Sequence, residues 1–217
     1  MRLVQTGDSP QPSSDRSVPG QIVILNGTPR AGKSSIAAVI QETFPGPWMN
    51  LGVDTVKEAM TPERYQPGIG LRPAEPDHPV APLVPVFYAA LYESIAAHSR
   101  LGLNVVADTG HHDTDILADC ARRLAGLPAL FVGVRCPIEV IMERRRATWG
   151  GHAGGSPDDP VPAPVLAWQR EVHVPGIYDL EVDTSRLTPE ECAEAIARRL
   201  SDGPPPSAFR QLGEVSR

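Results

Sequence analysis

Apolar positions along the chain keep two alternating rhythms. Short runs of β-branched and aliphatic residues, such as Ile22-Val23-Ile24-Leu25 and Val105-Val106-Ala107, read as strands. Longer stretches in which apolar residues recur three or four apart read as helices. Strand-like and helix-like pieces taken in turn predict an α/β fold with a largely parallel sheet. The predicted strands are residues 21–26, 48–53, 103–108, 129–135 and 178–182. The predicted helices are residues 33–44, 55–60, 87–100, 113–124, 137–147, 165–172 and 189–200.

Punctuation residues support these boundaries. Pro45-Gly46-Pro47 ends the first long helix, Gly102 ends the one through Phe87, Ala90, Leu91, Ile95 and His98, and Pro137 suits a first helical position. Thr188 is placed to cap the last helix. Two segments fit neither rhythm. Residues 61–85 form a Pro/Gly-rich excursion long enough to be a binding loop or lid, and residues 150–164, with Gly-Gly-His-Ala-Gly-Gly and several prolines, are expected to be mobile and irregular. Residues 1–19, rich in Ser, Pro, Gln and Asp, read as a disordered leader, and residues 203–217 as a poorly ordered tail. The folded domain is therefore expected over residues 20–202.

Composition narrows the functional classes. A chain of 217 residues, 41% apolar and 21% charged, supports one domain with a full core. Its 24 prolines cluster in the excursions, so they mark loops and not general disorder. The net charge of −6 argues against a nucleic-acid surface, so an anionic ligand must meet a local basic site. Cys120, Cys136 and Cys192 are far apart and without a C-x-x-C pair, which fits a reducing cytosol. Neither a signal peptide nor a membrane span is expected, since the N-terminus has no apolar core and no apolar run reaches 18 residues or so.

The chemistry begins immediately after the first strand. Gly27-Thr28-Pro29-Arg30-Ala31-Gly32-Lys33-Ser34-Ser35 fits G-x-x-x-x-G-K-[ST], the phosphate-binding loop. Glycines let the backbone curl around a phosphate and aim its N–H groups inward. Lys33 supplies a charge for the β- and γ-phosphates, and Ser34 a hydroxyl for Mg²⁺. The helix starting near Gly32 adds the partial positive charge of its N-terminus. Strand before and helix after are the context that the motif requires.

Ligands of open α/β sheets bind at the carboxyl ends of the strands, so Asp54 and Asp108 carry weight. Asp108 can share Mg²⁺ with Ser34; the bland alternative is a cap for the following helix. Asp54 can accept the proton of an attacking hydroxyl, or simply cap the helix of residues 55–60, and spacing leaves the two readings even. Arg144, Arg145 and Arg146 are consecutive on a helix, about 100° apart, so at most two can face one ligand. An arginine there could cover the phosphates, or belong to a solvated face. His111-His112-Asp113 lacks a partner cluster at ligand spacing and reads as pocket lining or loop. Trp48, Trp149 and Trp168 read as core or pocket wall.

Several blocks together resemble the chloramphenicol phosphotransferase family: Ile24-Leu25-Asn26-Gly27 through Ser34, Pro47-Trp48 with Gly52-Val53-Asp54, Glu58-Ala59-Met60, Val132-Gly133-Val134-Arg135-Cys136, and His173 with Tyr178-Asp179 and Glu181-Val182-Asp183-Thr184. The resemblance implies a P-loop kinase fold with a five-stranded, mostly parallel sheet, ATP with Mg²⁺, and transfer of the γ-phosphoryl group to an alcohol of a small antibiotic-like molecule. It puts Asp54 on the family's general base and Arg144 on a lid arginine. The chain departs from the family pattern at Thr148-Trp149-Gly150-Gly151-His152, at Asp108-Thr109-Gly110-His111-His112 and across residues 61–85. Because these segments would line the acceptor pocket, kinases of a nucleoside or sugar acid stay open as an alternative, as does a regulatory module that binds ATP without transfer. A guanine-specific N-K-x-D motif is absent.

Overall fold

The computed structural model describes residues 18–73, 77–153 and 160–215. Five strands, β1 (Ile22–Asn26), β2 (Trp48–Asn50), β3 (Asn104–Thr109), β4 (Ala129–Arg135) and β5 (Leu180–Asp183), form one sheet in the order β2-β3-β1-β4-β5, every pairing parallel. The helices are α1 (Lys33–Thr43), α2 (Val53–Thr55), α3 (Val84–Arg100), α4 (Thr114–Arg123), α5 (Ile138–Ala153), α6 (Ala163–Glu171), α7 (Pro189–Asp202) and α8 (Ala208–Val215).

Central β1 shows how the layers form. Its five residues are all buried because successive side chains enter opposite faces. Ile22 and Ile24 join Tyr92, Ile95, Leu117 and Phe209 beneath α3, α4 and α8. Val23 and Leu25 join Ile36, Ile40, Ile141 and Ile196 beneath α1, α5 and α7. This double coverage is what a parallel sheet needs. The register Leu25 to Asp108 and Asn26 to Gly133 brings the carboxyl ends of β1, β3 and β4 level. The loops beyond them therefore converge.

Four expectations from the sequence are corrected. β2 stops at Asn50 and does not run to residue 53: the Asn50 side chain accepts a hydrogen bond from Gly52 N at 3.1 Å, turning the chain into α2 and then into a wide helical turn, Val56–Met60. The Pro-rich excursion is only partly loop, since it carries single turns at Glu63–Tyr65, Gly68–Gly70 and Ala81–Leu83 and buries Ile69, Leu71 and Val80 against α3. Helix α5 continues past residue 147 through Gly150 and Gly151 to Ala153. The stretch expected to be a poorly ordered tail contains α8, with Ala208, Phe209 and Leu212 buried. Residues 1–17 of the leader expected over 1–19, and residues 154–159 of the expected mobile segment, lie outside the described residues.

Two predicted ends are confirmed by their caps. Asp113 accepts from Asp115 N and Ile116 N at the start of α4, and Thr188 with Glu191 forms a reciprocal capping box on α7.

Candidate active site

The loop after β1 is held open by its backbone. Gly27 runs so close to β4 that a β-carbon there would lie 2.5 Å from the Val134 carbonyl oxygen. Further on, Arg30 (φ 71°) and Gly32 (φ 91°) take left-handed conformations. That is ordinary for glycine and uncommon for arginine, which needs outside support. The support is Arg144: its guanidinium donates to the Arg30 carbonyl at 3.3 Å, to Thr184 Oγ1 at 3.1 Å and to Thr184 O at 2.7 Å. Thr184 in turn donates to the Ala31 carbonyl at 2.7 Å. Thus Arg144 clasps the phosphate loop to the turn after β5.

Lys33 curls back over its own loop, with Nζ donating to Gly27 O and Thr28 O at 2.9 Å each. Burial lowers its pKa, and the carboxylates of Asp108 and Asp54 oppose that shift. An arriving phosphate can take over the ammonium from the two carbonyls.

Ser34 Oγ donates to Asp108 Oδ2 at 2.6 Å, so the residue after the lysine and the carboxylate on β3 meet. Asp108 does not cap a helix; Asp113 does. The hydroxyl and carboxylate oxygens are the hard donors that Mg²⁺ prefers, so the pair fits that ion and can supply two of its ligands. Among the described residues no cluster of three or more His, Cys, Asp or Glu is built to hold a metal, which leaves the remaining ligands to water and phosphate oxygens.

Asp54 lies in the first turn of α2, whose cap is Gly52 without a side-chain bond, so the capping reading fails. Its carboxyl pKa is raised, chiefly by burial and then by the Asp108 charge, with Lys57 and Lys33 opposing. Gly52 explains the closeness of the two carboxylates. A β-carbon at residue 52 would fall 1.7 Å from Asp108 Oδ1, so only glycine lets α2 approach β3 here.

These groups open on a cavity of about 930 Å³. It is lined by the phosphate loop with Thr184, Leu187 and Arg144, and by Val53, Lys57, Ile69, Arg72, Tyr88 and Trp168. Arg145 also lines it, its pKa lowered by burial and by the charges of Arg72 and Arg30, whereas Arg146 does not. His112 sits edge-on to Trp168 at 4.8 Å, and Gly110 leaves room for that indole. Trp48 is core, and the Trp149 side chain lies outside the described residues. Thr184, Tyr88 and Arg72 were not singled out in the sequence. Thr184 stood inside a recognisable block, while Tyr88 reads as one more apolar position of α3.

Beneath the cavity a buried polar network ties the sheet together. Asn26 donates to Tyr178 Oη and to Val172 O at 2.8 Å and accepts from His111 N at 2.8 Å. His111 Nε2 pairs with Tyr92 Oη at 2.6 Å, and His173 Nδ1 with Tyr178 Oη at 2.8 Å. Burial, assisted by the charge of His112, pushes the His111 imidazole down to about 3; burial, then Arg135, pushes His173 down to about 4. Both are neutral when folded. Unfolded, each binds a proton near pH 6.5, so the unfolded chain gains protons first as pH falls. The stabilisation is complete above about pH 6.5 and is lost as pH drops toward the folded values. Urea unfolding should give a lower midpoint at pH 5.5 than at pH 7.5; an unchanged midpoint would contradict neutral imidazoles at a buried His111 and a half-buried His173.

Comparison with known proteins agrees with this geometry. Residues 20–201 match the family model described as chloramphenicol phosphotransferase-like protein. A Mycobacterium tuberculosis H37Rv protein named provisionally as an O-phosphotransferase is 27% identical over 208 residues, covering 89% of this chain and 88% of its own. Among solved structures, Mycobacterium tuberculosis APS kinase in complex with AMPPNP and APS superposes with a TM-score of 0.61 at 16% identity, over 85% of this chain and 99% of that one. The Deinococcus radiodurans tunicamycin resistance protein gives a TM-score of 0.56 at 18% identity, over 84% and 96%. The fold is that of the P-loop kinases.

Proposed function

Because the chain belongs to the chloramphenicol phosphotransferase-like family and is a phosphotransferase of P-loop kinase fold, we propose that it moves the γ-phosphoryl group of ATP onto a hydroxyl of a small antibiotic-like molecule. The observation that carries this reading is the meeting of Lys33, Ser34, Asp108 and Asp54 at one end of one cavity. Lys33 and the loop amides hold the β- and γ-phosphates. Ser34 and Asp108 would hold Mg²⁺, which would neutralise charge on the phosphates when bound. Asp54 takes the proton of the acceptor hydroxyl, the alcohol oxygen bonds to the γ-phosphorus, and the bond to the bridging oxygen breaks to release ADP. Arg144 fixes the loop that faces the developing charge, and Arg145, on the cavity wall, is placed to answer it.

The wall also favours a second reading. Lys57 and Arg72 add positive charge to the cavity lining, where an acidic metabolite such as a sugar acid could be met. No helix among the described residues is long and apolar enough to cross a membrane, and three free buried cysteines suit a cytoplasmic setting. Incubation with ATP, Mg²⁺ and a panel of chloramphenicol, tunicamycin, APS and gluconate, followed by mass spectrometry, should reveal the mass gain of one phosphoryl group on an antibiotic. Gain on gluconate or APS alone would favour the metabolite kinase, and nucleotide binding without any product would favour a regulatory module.

A further inference from the structure

Tyr88 stands out among the buried polar side chains. It is only 4% exposed, on the second turn of α3, with ring centroids 5.8 Å from Tyr92 and 6.0 Å from His111. Tyr92 has its hydroxyl satisfied by His111. The Tyr88 hydroxyl has no hydrogen-bond partner among the described residues. Yet no side-chain nitrogen or oxygen that is shut off from solvent there lacks a partner. The Tyr88 oxygen must therefore reach the surface of the cavity that its side chain lines. A phenol held by its ring in a packed wall, with a free hydroxyl facing a cavity, is a donor waiting for a ligand.

Its position relative to the reacting groups narrows that ligand. Tyr88 lines the same cavity as Asp54; burial, and then the charges of Cys120, Asp113 and Asp54, raises the phenol pKa, so the hydroxyl keeps its proton and cannot serve as base. Lys57 lines the same cavity and lowers the Asp54 pKa that burial and Asp108 raise. Asp54 engages the hydroxyl that reacts; a donor lining the same cavity calls for a second oxygen on the same molecule.

We propose that Tyr88 is a specificity-determining residue that donates a hydrogen bond to a second oxygen of the acceptor, selecting diols and hydroxy-carbonyl compounds over simple alcohols. This assignment rests on the phosphotransferase reading above. Losing one such bond raises the acceptor KM by about tenfold.

The test uses the full chain and the same four-compound panel. Tyr88→Phe keeps the ring and removes the oxygen. For whichever panel member the wild type phosphorylates, the variant should raise the KM of that acceptor by about tenfold without moving the KM for ATP. Tyr92→Phe is the control: it should lower the melting temperature, since its bond to His111 is lost, and leave the acceptor KM where it was. An unchanged acceptor KM in Tyr88→Phe overturns the role of Tyr88 alone, as does a parallel rise in both KM values. Absence of transfer by the wild type to every member overturns the reading of function, and the role of Tyr88 with it.

Discussion

Asp54→Asn should lower kcat for phosphoryl transfer by about a hundred- to ten-thousandfold while leaving nucleotide affinity near the wild-type value. The asparagine preserves the shape of the first turn of α2 and the approach of Gly52 to Asp108. What it removes is the proposed acceptor of the hydroxyl proton. Its raised pKa makes Asp54 a better base than an exposed carboxylate. The same shift sets a pH signature. Activity needs the ionised form, so in the wild type it falls as pH drops through a value above the ordinary carboxylate pKa, and in the variant that limb should vanish. Calorimetric titration with a non-hydrolysable ATP analogue, beside steady-state kinetics across pH, reads both. Undiminished transfer by the variant would remove Asp54 from the chemistry.

The second large effect is on stability. Phe209→Ala should cost about 3–5 kcal/mol, since it empties a large buried site in a packed core. For a domain of this size that corresponds to a fall in Tm of roughly 6–20 °C. Phe209 stacks on Phe131 of β4 at a centroid distance of 4.8 Å and is 6% exposed. Its helix is anchored from the far side of the chain. Asp179 Oδ1 accepts from Ser207 N at 2.7 Å and Ala208 N at 3.1 Å, while Oδ2 accepts from Phe131 N at 3.0 Å. A carboxylate at the helix N-terminus satisfies donors left over there and opposes the positive end of the dipole. A melting temperature within a degree or two of wild type would mean that α8 is peripheral.

That helix shows why part of the fold escapes a reading of the chain. Residues 208–215 are too few to be helical on their own, and their apolar positions follow Pro204-Pro205-Pro206. What orders them is Asp179, a residue some thirty positions away whose partners are set by tertiary structure. Strands β1, β3 and β4 are legible because burial on both faces writes an unbroken apolar run. The end of β2 is not, because Leu51 and Val53 continue the apolar pattern while Asn50 and Gly52 turn the backbone.

The candidate site divides the same way. The phosphate loop and its meeting with Asp108 follow from a motif whose glycines and lysine are dictated by phosphate chemistry, and the structure unites Ser34 with Asp108. Spacing alone leaves Asp54 even between cap and base, and the family resemblance points to the base; the cap of α2 is Gly52, which removes the capping reading. Tyr88 carries no signal, because a hydroxyl pointed at a cavity and one pointed at a histidine look alike in a sequence. The arginines were ambiguous because helical spacing does not say which guanidinium finds carbonyls: Arg144 does, and Arg145 lines the cavity.

The clasp formed by Arg144 has a mechanical corollary. It pins α5, at a point near the middle of its length, to the loop after β1 and to the turn after β5. The amino-terminal half of α5 is thereby rooted in the same rigid frame as the phosphate loop, with Ile141 sunk in the core. Any swing of the carboxyl-terminal half must take its fulcrum beyond residue 144. Arg145 stands one position past that point, where it lines the cavity.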